Sequence, residues 1–293
     1  MQSRRLGRTG LTVSEIGFGG APAGLANYLD AWDPASDASA QQIAQTVRRA
    51  ADLGVTYFDS APGYGRGRSE EMLGLGLKGR RTGVVIATKV TGDTADAVRQ
   101  SIEESARRLQ VDQIDVIQYH GGWYSEELVA SILGPGGALE GMQRARDEGL
   151  VRFLGFTTEG SNGPAATLLR SGAFDVMQVC YNLIFQHPYD PSRQAGLIYE
   201  AASLDMGVIT MRSLTSGTFQ RWLQHVDPGV EQRVDLSAAL LAFVLSNPLV
   251  SVALVGMRTP EEAEANVRAS EDDRYRMDLD RLHTRYVPPT PQQ

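Results

Sequence analysis

Cysteine and histidine are scarce in this sequence of 293 residues, which contains one cysteine, Cys180, and four histidines. A single cysteine excludes an intrachain disulfide and any zinc site built on several cysteines. Because Cys180 lies within an apolar run, we expect it to be a small core residue. His187, His225 and His283 share no spacing with other potential ligands, so we predict no metal site.

Positive charge is limited as well. The chain has 28 lysines and arginines against 35 aspartates and glutamates, which gives a formal net charge of −7. Proteins that bind nucleic acid use clustered lysines and arginines to neutralise phosphates. We therefore expect no nucleic-acid partner.

Long hydrophobic runs are also missing. The N-terminal residues 1–7 carry two arginines with no apolar segment behind them, so they do not form a secretory signal. The most apolar region, residues 236–255, is interrupted by Ser246, Asn247 and Pro248. This interruption predicts a helix, a turn and a strand rather than a membrane span. We expect a cytoplasmic protein without a membrane partner.

The composition that remains is typical of a globular protein, with 42% hydrophobic and 22% charged residues. A short hairpin pattern at residues 4–14 is followed by a regular alternation of strand and helix patterns. Strands are predicted over residues 15–19, 55–59, 84–90, 114–120, 151–156, 176–181, 207–211 and 250–255. Helices are predicted over residues 40–53, 69–78, 94–109, 139–148, 164–170, 194–204, 236–245 and 260–269.

Eight strand–helix pairs without a long break predict an α/β fold, most simply a closed (β/α)8 TIM barrel. A doubly wound open sheet is the alternative, because periodicity does not report whether a sheet closes. We predict one domain over residues 1–293, with the hairpin at residues 1–14 and a polar tail at residues 271–293.

One glycine pattern is misleading. Gly74, Gly76 and Gly79 match the spacing of a dinucleotide-binding fingerprint. That fingerprint must follow a strand and open a helix, whereas these glycines come late in a predicted helix. We interpret them as part of the helix and its C-terminal turn.

Ionisable residues lie at the ends of three successive predicted strands. Asp59 ends the second strand, Lys89 lies near the end of the third and His120 ends the fourth, while Tyr64 follows a Pro-Gly turn after Asp59. Each alone has an ordinary structural explanation, such as a turn cap or a core histidine. Because the C-terminal ends of barrel strands share one face, we expect the four side chains to meet in one site.

The chain resembles the aldo-keto reductase superfamily over nearly its whole length. The residues that carry the resemblance are Tyr57-Phe58-Asp59-Ser60-Ala61, Tyr64-Gly65, Ser69-Glu70, Thr88-Lys89-Val90, Gln118-Tyr119-His120, Gly256, Arg258, Thr259-Pro260-Glu261-Glu262 and Asn266. In this family the opening hairpin closes the barrel floor. The resemblance implies an NADPH-dependent enzyme that interconverts a carbonyl group and an alcohol, with NADH as a less favoured cofactor.

The resemblance also implies roles for the four strand-end residues. Tyr64 is expected to act as the general acid and His120 to orient the carbonyl oxygen. A phenol with a pKa of about 10 is a weak acid at neutral pH, and a neighbouring ammonium lowers that pKa. Lys89 is therefore expected to tune Tyr64, with Asp59 as the partner of Lys89.

Further positions are expected to hold the cofactor. Thr158, Gln178 and Asn182 correspond to contacts with the nicotinamide amide, although Thr157 is an alternative to Thr158. Met211 stands where many relatives place an aromatic ring against the nicotinamide. Arg212 beside it is expected to reach an acidic substrate or the pyrophosphate, with a plain surface arginine as the alternative. The pyrophosphate is expected at Ser213, Leu214, Gly217 and Gly256, the 2′-phosphate at Arg258, and the adenine at Glu262 and Asn266.

Aromatic residues in the loops of the same face are the substrate candidates. They are Tyr28, Trp32, Trp123, Tyr124 and Phe185. The expected substrate is a small carbonyl compound or a sugar. Two alternatives remain, an NAD-linked sugar or alcohol dehydrogenase on the same fold and a cofactor-sensing binding subunit. The oligomeric state stays open.

Overall fold

A computed structural model describes residues 1–283. Eight parallel strands close into a barrel in chain order, with the last strand hydrogen-bonded to the first. The strands are β3 (Ile16–Gly19), β4 (Tyr57–Asp59), β5 (Val85–Val90), β6 (Ile114–Tyr119), β7 (Val151–Thr158), β8 (Val176–Cys180), β9 (Gly207–Met211) and β10 (Val252–Gly256). Closure confirms the TIM barrel and excludes the open sheet.

Helices surround the barrel. They are α1 (Ala21–Gly24), α2 (Asp37–Asp52), α3 (Arg68–Leu77), α4 (Ala95–Leu109), α5 (Glu126–Leu133), α6 (Ala138–Asp147), α7 (Gly163–Arg170), α8 (Leu197–Ser203), α9 (Thr218–Val226), α10 (Leu236–Leu245), α11 (Pro260–Glu271) and α12 (Leu279–Leu282). Short 3₁₀ turns cover Gly7–Thr9, Thr215–Gly217, Val230–Gln232 and Asp273–Tyr275. No helix within residues 1–283 is both long enough and apolar enough to cross a lipid bilayer.

The N-terminal hairpin closes the barrel floor. Strand β1 (Ser3–Arg5) pairs antiparallel with β2 (Thr12–Ser14). Leu6 and Val13 are buried and, together with Leu11, pack against the inward-facing side chains of the barrel strands. Gly7 has a φ of +49° and passes so close to Gly207 that a Cβ would lie 2.2 Å from the Gly207 nitrogen. Only glycine fits at this contact.

Three charged side chains, centred on the buried Glu15, connect the barrel floor to residues near both ends of the described chain. Glu15, whose side chain is fully buried, accepts from Arg4 at 3.0 Å and from Arg276 at 3.0 Å. Arg4 also donates to the carbonyl groups of Leu245, Asn247 and Val250. The start of the predicted polar tail is thus tied to the barrel, while residues 284–293 lie outside the described part of the chain.

The two glycines inside the misleading pattern lie in helix α3, as expected. A Cβ at Gly74 would lie 2.6 Å from the Leu109 carbonyl oxygen, and one at Gly76 would lie 2.5 Å from Val47. These glycines let α3 pack closely between its neighbours α2 and α4.

Two helices fall where the sequence patterns indicate loops. Helix α5 lies between the predicted strand 114–120 and the predicted helix 139–148, begins at the N-cap Ser125 and buries Val129 and Ile132. Helix α9 follows β9 and buries none of its residues. Helix α5 has only eight residues, which leaves room for little of the apolar repeat that reveals a helix in a sequence. In α9 the repeat is present although no helix is predicted there, since its apolar residues recur at helical spacing, namely Phe219, Trp222, Leu223 and Val226.

Candidate active site

The three strand-end residues converge at the C-terminal mouth of the barrel. Asp59 is the last residue of β4, Lys89 is the penultimate residue of β5, and His120 follows β6 directly. The parallel register aligns Lys89 with Gln118 on the neighbouring strand. The strand ends therefore bring these residues together, as barrel geometry requires.

A buried ion pair lies at the centre of the site. The Lys89 Nζ is 2.5 Å from Asp59 Oδ1, and the two side chains are 1% and 3% exposed. Lys89 also donates to the Ser60 carbonyl oxygen at 2.7 Å. Burial acts to lower the pKa of Lys89, but the charges of Asp59 and Tyr64 raise it above the usual value. Lys89 is therefore an ammonium at neutral pH.

Tyr64 stands next to this pair. Its ring centroid lies 5.1 Å from the Lys89 Nζ and 5.8 Å from the His120 ring, which it meets edge-on. Burial raises the pKa of Tyr64, while the charge of Lys89 and a hydrogen bond with it act in the opposite direction. Lys89 thus acts with the expected sign, but desolvation outweighs it and the phenol keeps its proton at neutral pH.

The loop that carries Tyr64 is held by the residues that follow it. Ser69 donates to the Gly20 carbonyl oxygen and accepts from the Ser60 hydroxyl, both at 2.9 Å. Gly65 has a φ of +66°, and a Cβ there would lie 2.3 Å from the Gly24 carbonyl oxygen. Gly65 and Ser69 therefore fix the conformation of the loop that carries Tyr64.

Glu70 joins the elements that flank the site. Its fully buried carboxylate accepts from the Thr88 hydroxyl at 2.5 Å and from Arg108 Nε at 2.6 Å. Thr88 precedes Lys89 on β5, and Glu70 lies in the first turn of α3. This contact fixes the strand of Lys89 against the helix that follows the Tyr64 loop.

His120 is neutral at physiological pH. Burial and the nearby positive charge of Lys89 lower its pKa to about 4. A neutral imidazole carries one N–H donor and one acceptor nitrogen. His120 can therefore form a hydrogen bond with a carbonyl oxygen without adding a charge to the site.

Gln118 is a site residue that the sequence analysis did not assign. Its Nε2 donates to Asp59 Oδ2 at 3.0 Å, which completes the hydrogen bonds of the carboxylate that faces Lys89. The signal was present in the sequence, because Gln118 lies two positions before His120 and so points to the same side of the strand.

A cavity of about 430 Å³ opens above these groups. Asp59, Tyr64 and His120 line it. So do six of the residues predicted to bind the cofactor, namely Gln178, Met211, Ser213, Leu214, Gly217 and Gly256. This volume lies within the usual range for small-molecule sites. Among residues 1–283 no group of three or more His, Cys, Asp or Glu side chains is placed to hold a metal ion.

Two predicted nicotinamide contacts lie outside this cavity. The Thr158 hydroxyl donates to backbone carbonyls at Gly122 and Gly160, whereas its neighbour Thr157 lines the cavity. The Asn182 amide donates to the Arg212 carbonyl oxygen and accepts from two backbone N–H groups. Alternation along β7 explains the first difference, since adjacent residues of a strand face opposite sides.

The predicted phosphate and adenine residues form a separate group beside the cavity. Arg258 is 2.5 Å from Asp30 Oδ2, and its guanidinium lies 5.0 Å from the Trp32 ring centroid. Glu262 accepts from the Arg258 and Thr259 backbone N–H groups and completes a capping box at the start of α11. Asn266 is buried in the same helix.

The predicted substrate aromatics are dispersed. Tyr28 lines the cavity, and its hydroxyl is 3.1 Å from Ser216 Oγ. Trp32 packs beneath Arg258, while Trp123 and Phe185 are exposed and lie outside the cavity lining. Tyr124 is buried and donates to the Thr157 carbonyl oxygen, so it is part of the barrel wall.

Arg212 forms part of the cavity wall. Its guanidinium makes two contacts with Glu159, from Nη2 to Oε1 at 2.6 Å and from Nη1 to Oε2 at 3.2 Å. Both residues line the cavity with Tyr64 and His120.

The single cysteine, Cys180, is buried in the core, as expected. Burial raises the pKa of its thiol to about 11, so the thiol is un-ionised at neutral pH.

The aldo/keto reductase family model matches residues 15–233. L-galactose dehydrogenase from Arabidopsis thaliana is 30% identical over 299 residues, which cover 92% of this chain and 88% of that protein. Pyridoxal 4-dehydrogenase from Microbacterium luteolum is 25% identical over 338 residues, which cover 91% and 92% of the two chains.

Solved structures share the fold. An aldo-keto reductase from Bacillus halodurans in its holo form superimposes with a TM-score of 0.75 at 22% identity, covering 97% of this chain and 95% of that one. An aldo/keto reductase from Klebsiella pneumoniae in complex with NADP and acetate gives a TM-score of 0.74 at 23% identity, covering 99% and 97%.

The low pKa of His120 predicts a pH-dependent stability. An unfolded histidine takes up a proton near pH 6.5, whereas folded His120 does so near pH 4. The unfolded state binds more protons between these values, so stability should fall as pH falls from 6.5 to 4. Urea unfolding across this range should show a weaker pH dependence for His120→Gln than for the unmodified protein. Exposed His225→Gln should retain the original dependence, and equal behaviour of both variants would contradict the prediction.

Proposed function

The chain belongs to the aldo/keto reductase family, and we propose that it is an NADPH-dependent oxidoreductase that interconverts a carbonyl group and an alcohol. Tyr64 is the general acid in this proposal. Lys89 and Asp59 set its electrostatic environment, and His120 orients the substrate oxygen. The observation that carries the proposal is the placement of Tyr64 between a neutral imidazole and a buried ammonium, at the wall of a cavity.

The chemistry explains why these groups are needed together. A bound nicotinamide cofactor would supply a hydride to the carbonyl carbon. The carbonyl oxygen then develops negative charge and needs a proton. Tyr64 carries that proton, because its raised pKa keeps the phenol protonated at neutral pH. A developing alkoxide is a much stronger base than a phenolate, so transfer from the Tyr64 hydroxyl to the oxygen is favourable.

Lys89 stabilises the phenolate that the proton transfer leaves on Tyr64. After Tyr64 gives up its proton, the remaining phenolate faces the ammonium of Lys89. Because the site is buried, this attraction is stronger than in water and needs no rearrangement of solvent. Asp59 keeps Lys89 charged and in place, and Gln118 holds the Asp59 carboxylate.

The residues lining the cavity fit a nicotinamide cofactor. Gln178 Oε1 is buried and has no hydrogen-bond partner among residues 1–283, so it is a ready acceptor for a carboxamide N–H. Met211 next to it offers a polarisable thioether to an aromatic ring. The turn after β9 lines the cavity with the small residues Ser213, Ser216 and Gly217, which would let a pyrophosphate approach the backbone.

Arg258 is the proposed partner of the 2′-phosphate. Its present partner, Asp30, is exposed, and a phosphate offers more charge and more acceptor oxygens than a carboxylate. The Arg258–Asp30 pair also gives weight to the second candidate, an NAD-linked dehydrogenase, because an arginine already paired with a carboxylate leaves no positive charge for a phosphate. Glu262 and Asn266, on the helix after Arg258, are proposed to lie near the adenine.

The substrate class proposed here is an aldehyde, ketone or sugar carbonyl. The name of the Arabidopsis thaliana relative, L-galactose dehydrogenase, supports a sugar. The name of the Microbacterium luteolum relative, pyridoxal 4-dehydrogenase, supports an aromatic aldehyde or its hemiacetal form as an alternative.

Tyr64→Phe tests the proposed acid. The change removes one hydroxyl, so turnover of a generic aldehyde should fall by about 10²- to 10⁴-fold, while the Kd for NADPH should stay within about twofold. Steady-state kinetics and fluorescence titration measure the two quantities. Tyr275→Phe, beside the barrel-floor residue Arg276, is the matched control and should retain activity. Full turnover by Tyr64→Phe would rule out this mechanism.

Arg258→Ala tests the cofactor preference. Loss of a charge-assisted contact should raise the Kd for NADPH about tenfold or more and leave the Kd for NADH unchanged. Asp30→Asn is the control, since removal of the competing carboxylate should leave NADPH binding as tight or make it tighter. Equal effects of Arg258→Ala on both cofactors would favour the NAD-linked alternative.

A further inference from the structure

The Arg212–Glu159 ion pair is the feature of the cavity wall that the proposed chemistry does not use. The two side chains are 38% and 34% exposed, and both line the cavity that contains Tyr64 and His120. The guanidinium meets the carboxylate through two nitrogens, which fixes the orientation of both groups. The pair therefore offers the N–H donors of Arg212 and the acceptor oxygens of Glu159 side by side at the cavity wall, and its net charge is zero.

The backbone around Arg212 is built to hold it in this position. Arg212 directly follows β9 and has a φ of +57°, which an arginine rarely adopts. Its carbonyl oxygen accepts from Asn182 Nδ2 at 2.9 Å and from the Thr215 N–H at 2.7 Å. Such strain persists where surrounding contacts impose it, and it is concentrated at functional sites.

Glu159 places the pair on the His120 side of the cavity. It directly follows β7, and its N–H donates to the Gly122 carbonyl oxygen at 2.9 Å. A Cβ built on Gly122 would lie 3.8 Å from Glu159 Cγ, so the side chain runs along the segment that follows His120. The ion pair therefore lies next to the segment that follows His120 and lines the same cavity as its imidazole.

Tyr28 adds a third polar group to this wall. It lines the same cavity as Arg212 and Tyr64, and its hydroxyl contacts Ser216 Oγ at 3.1 Å. A phenol, a guanidinium and a carboxylate thus face the space next to the proposed acid. Each of them can form hydrogen bonds with hydroxyl groups.

The chemistry of this wall restricts the substrate. An apolar aldehyde would cover the ion pair without replacing its contacts with water, which is unfavourable. A carboxylate would be attracted by Arg212 and repelled by Glu159. A polyhydroxylated molecule would satisfy both, because each hydroxyl can accept from Arg212 and donate to Glu159.

We propose that the Arg212–Glu159 pair is a specificity determinant that selects an uncharged polyhydroxylated substrate by binding hydroxyl groups beside the reacting carbon. This inference rests on the proposed carbonyl–alcohol chemistry. It also gives Arg212 a function distinct from binding the cofactor pyrophosphate.

The first test measures substrate selectivity. The ratio of kcat/KM for reduction of an aldohexose to that for reduction of benzaldehyde should fall about tenfold or more in Arg212→Met/Glu159→Leu. Arg170→Met, which removes one arm of the exposed Arg170–Glu200 pair, is the control and should keep the ratio. An unchanged ratio in the double variant would overturn the inference. Weaker NADPH binding with the ratio retained would also overturn it and assign Arg212 to the cofactor site.

The second test does not depend on the double variant folding. Glu159→Gln keeps the size of the side chain and leaves the Arg212 charge without its partner. Turnover of succinic semialdehyde, an aldehyde with a carboxylate, should rise several-fold relative to the aldohexose. No gain would contradict the proposal. Absence of turnover with every carbonyl in the unmodified protein would instead contradict the proposed function, so the two failures are distinguishable.

Discussion

The buried contact between Lys89 and Asp59 is the interaction on which the site depends. Two charges removed from water are stable only when their geometry is good and their remaining hydrogen-bonding capacity is used. Here the ammonium also binds the Ser60 carbonyl oxygen, and the carboxylate also accepts from Gln118. Breaking this arrangement by removing one partner would leave a buried charge, which is among the most destabilising changes a core can undergo.

The positions of the other groups follow from this pair and from the barrel that holds it. Strands β4, β5 and β6 carry Asp59, Lys89 and Gln118, and the hairpin fills the barrel below them with apolar side chains. Burial, together with the ammonium, keeps His120 neutral, and the ammonium opposes the effect of burial on Tyr64. Burial thus sets the protonation states of both groups that face a substrate, and the charge of Lys89 modifies the pKa of each.

Much of this arrangement was predictable from the sequence, because strand ends are readable and parallel strands in a barrel share one face. The expectations that depended on which way a side chain points were less accurate. Thr157 and Thr158 are adjacent at the end of β7, and only the structure shows which of them faces the cavity. Tyr124 follows a predicted strand and suggests an exposed loop aromatic, but it is buried because its ring packs against Tyr119 and Phe156 of the barrel strands. Arg212 and Glu159 are 53 positions apart, so their pairing depends on the closure of the barrel.

The effect of the ion pair on Tyr64 is open to direct measurement. The pH titration of tyrosine absorbance, taken as the difference from a Tyr64→Phe background, reports the pKa of Tyr64 alone. In Asp59→Asn/Lys89→Met, which replaces both charges with neutral side chains, we predict a higher Tyr64 pKa than in the unmodified protein. This follows because the lowering effect of Lys89 exceeds the raising effect of Asp59. An equal or lower pKa in the double variant would contradict the claim that Lys89 controls the proposed acid.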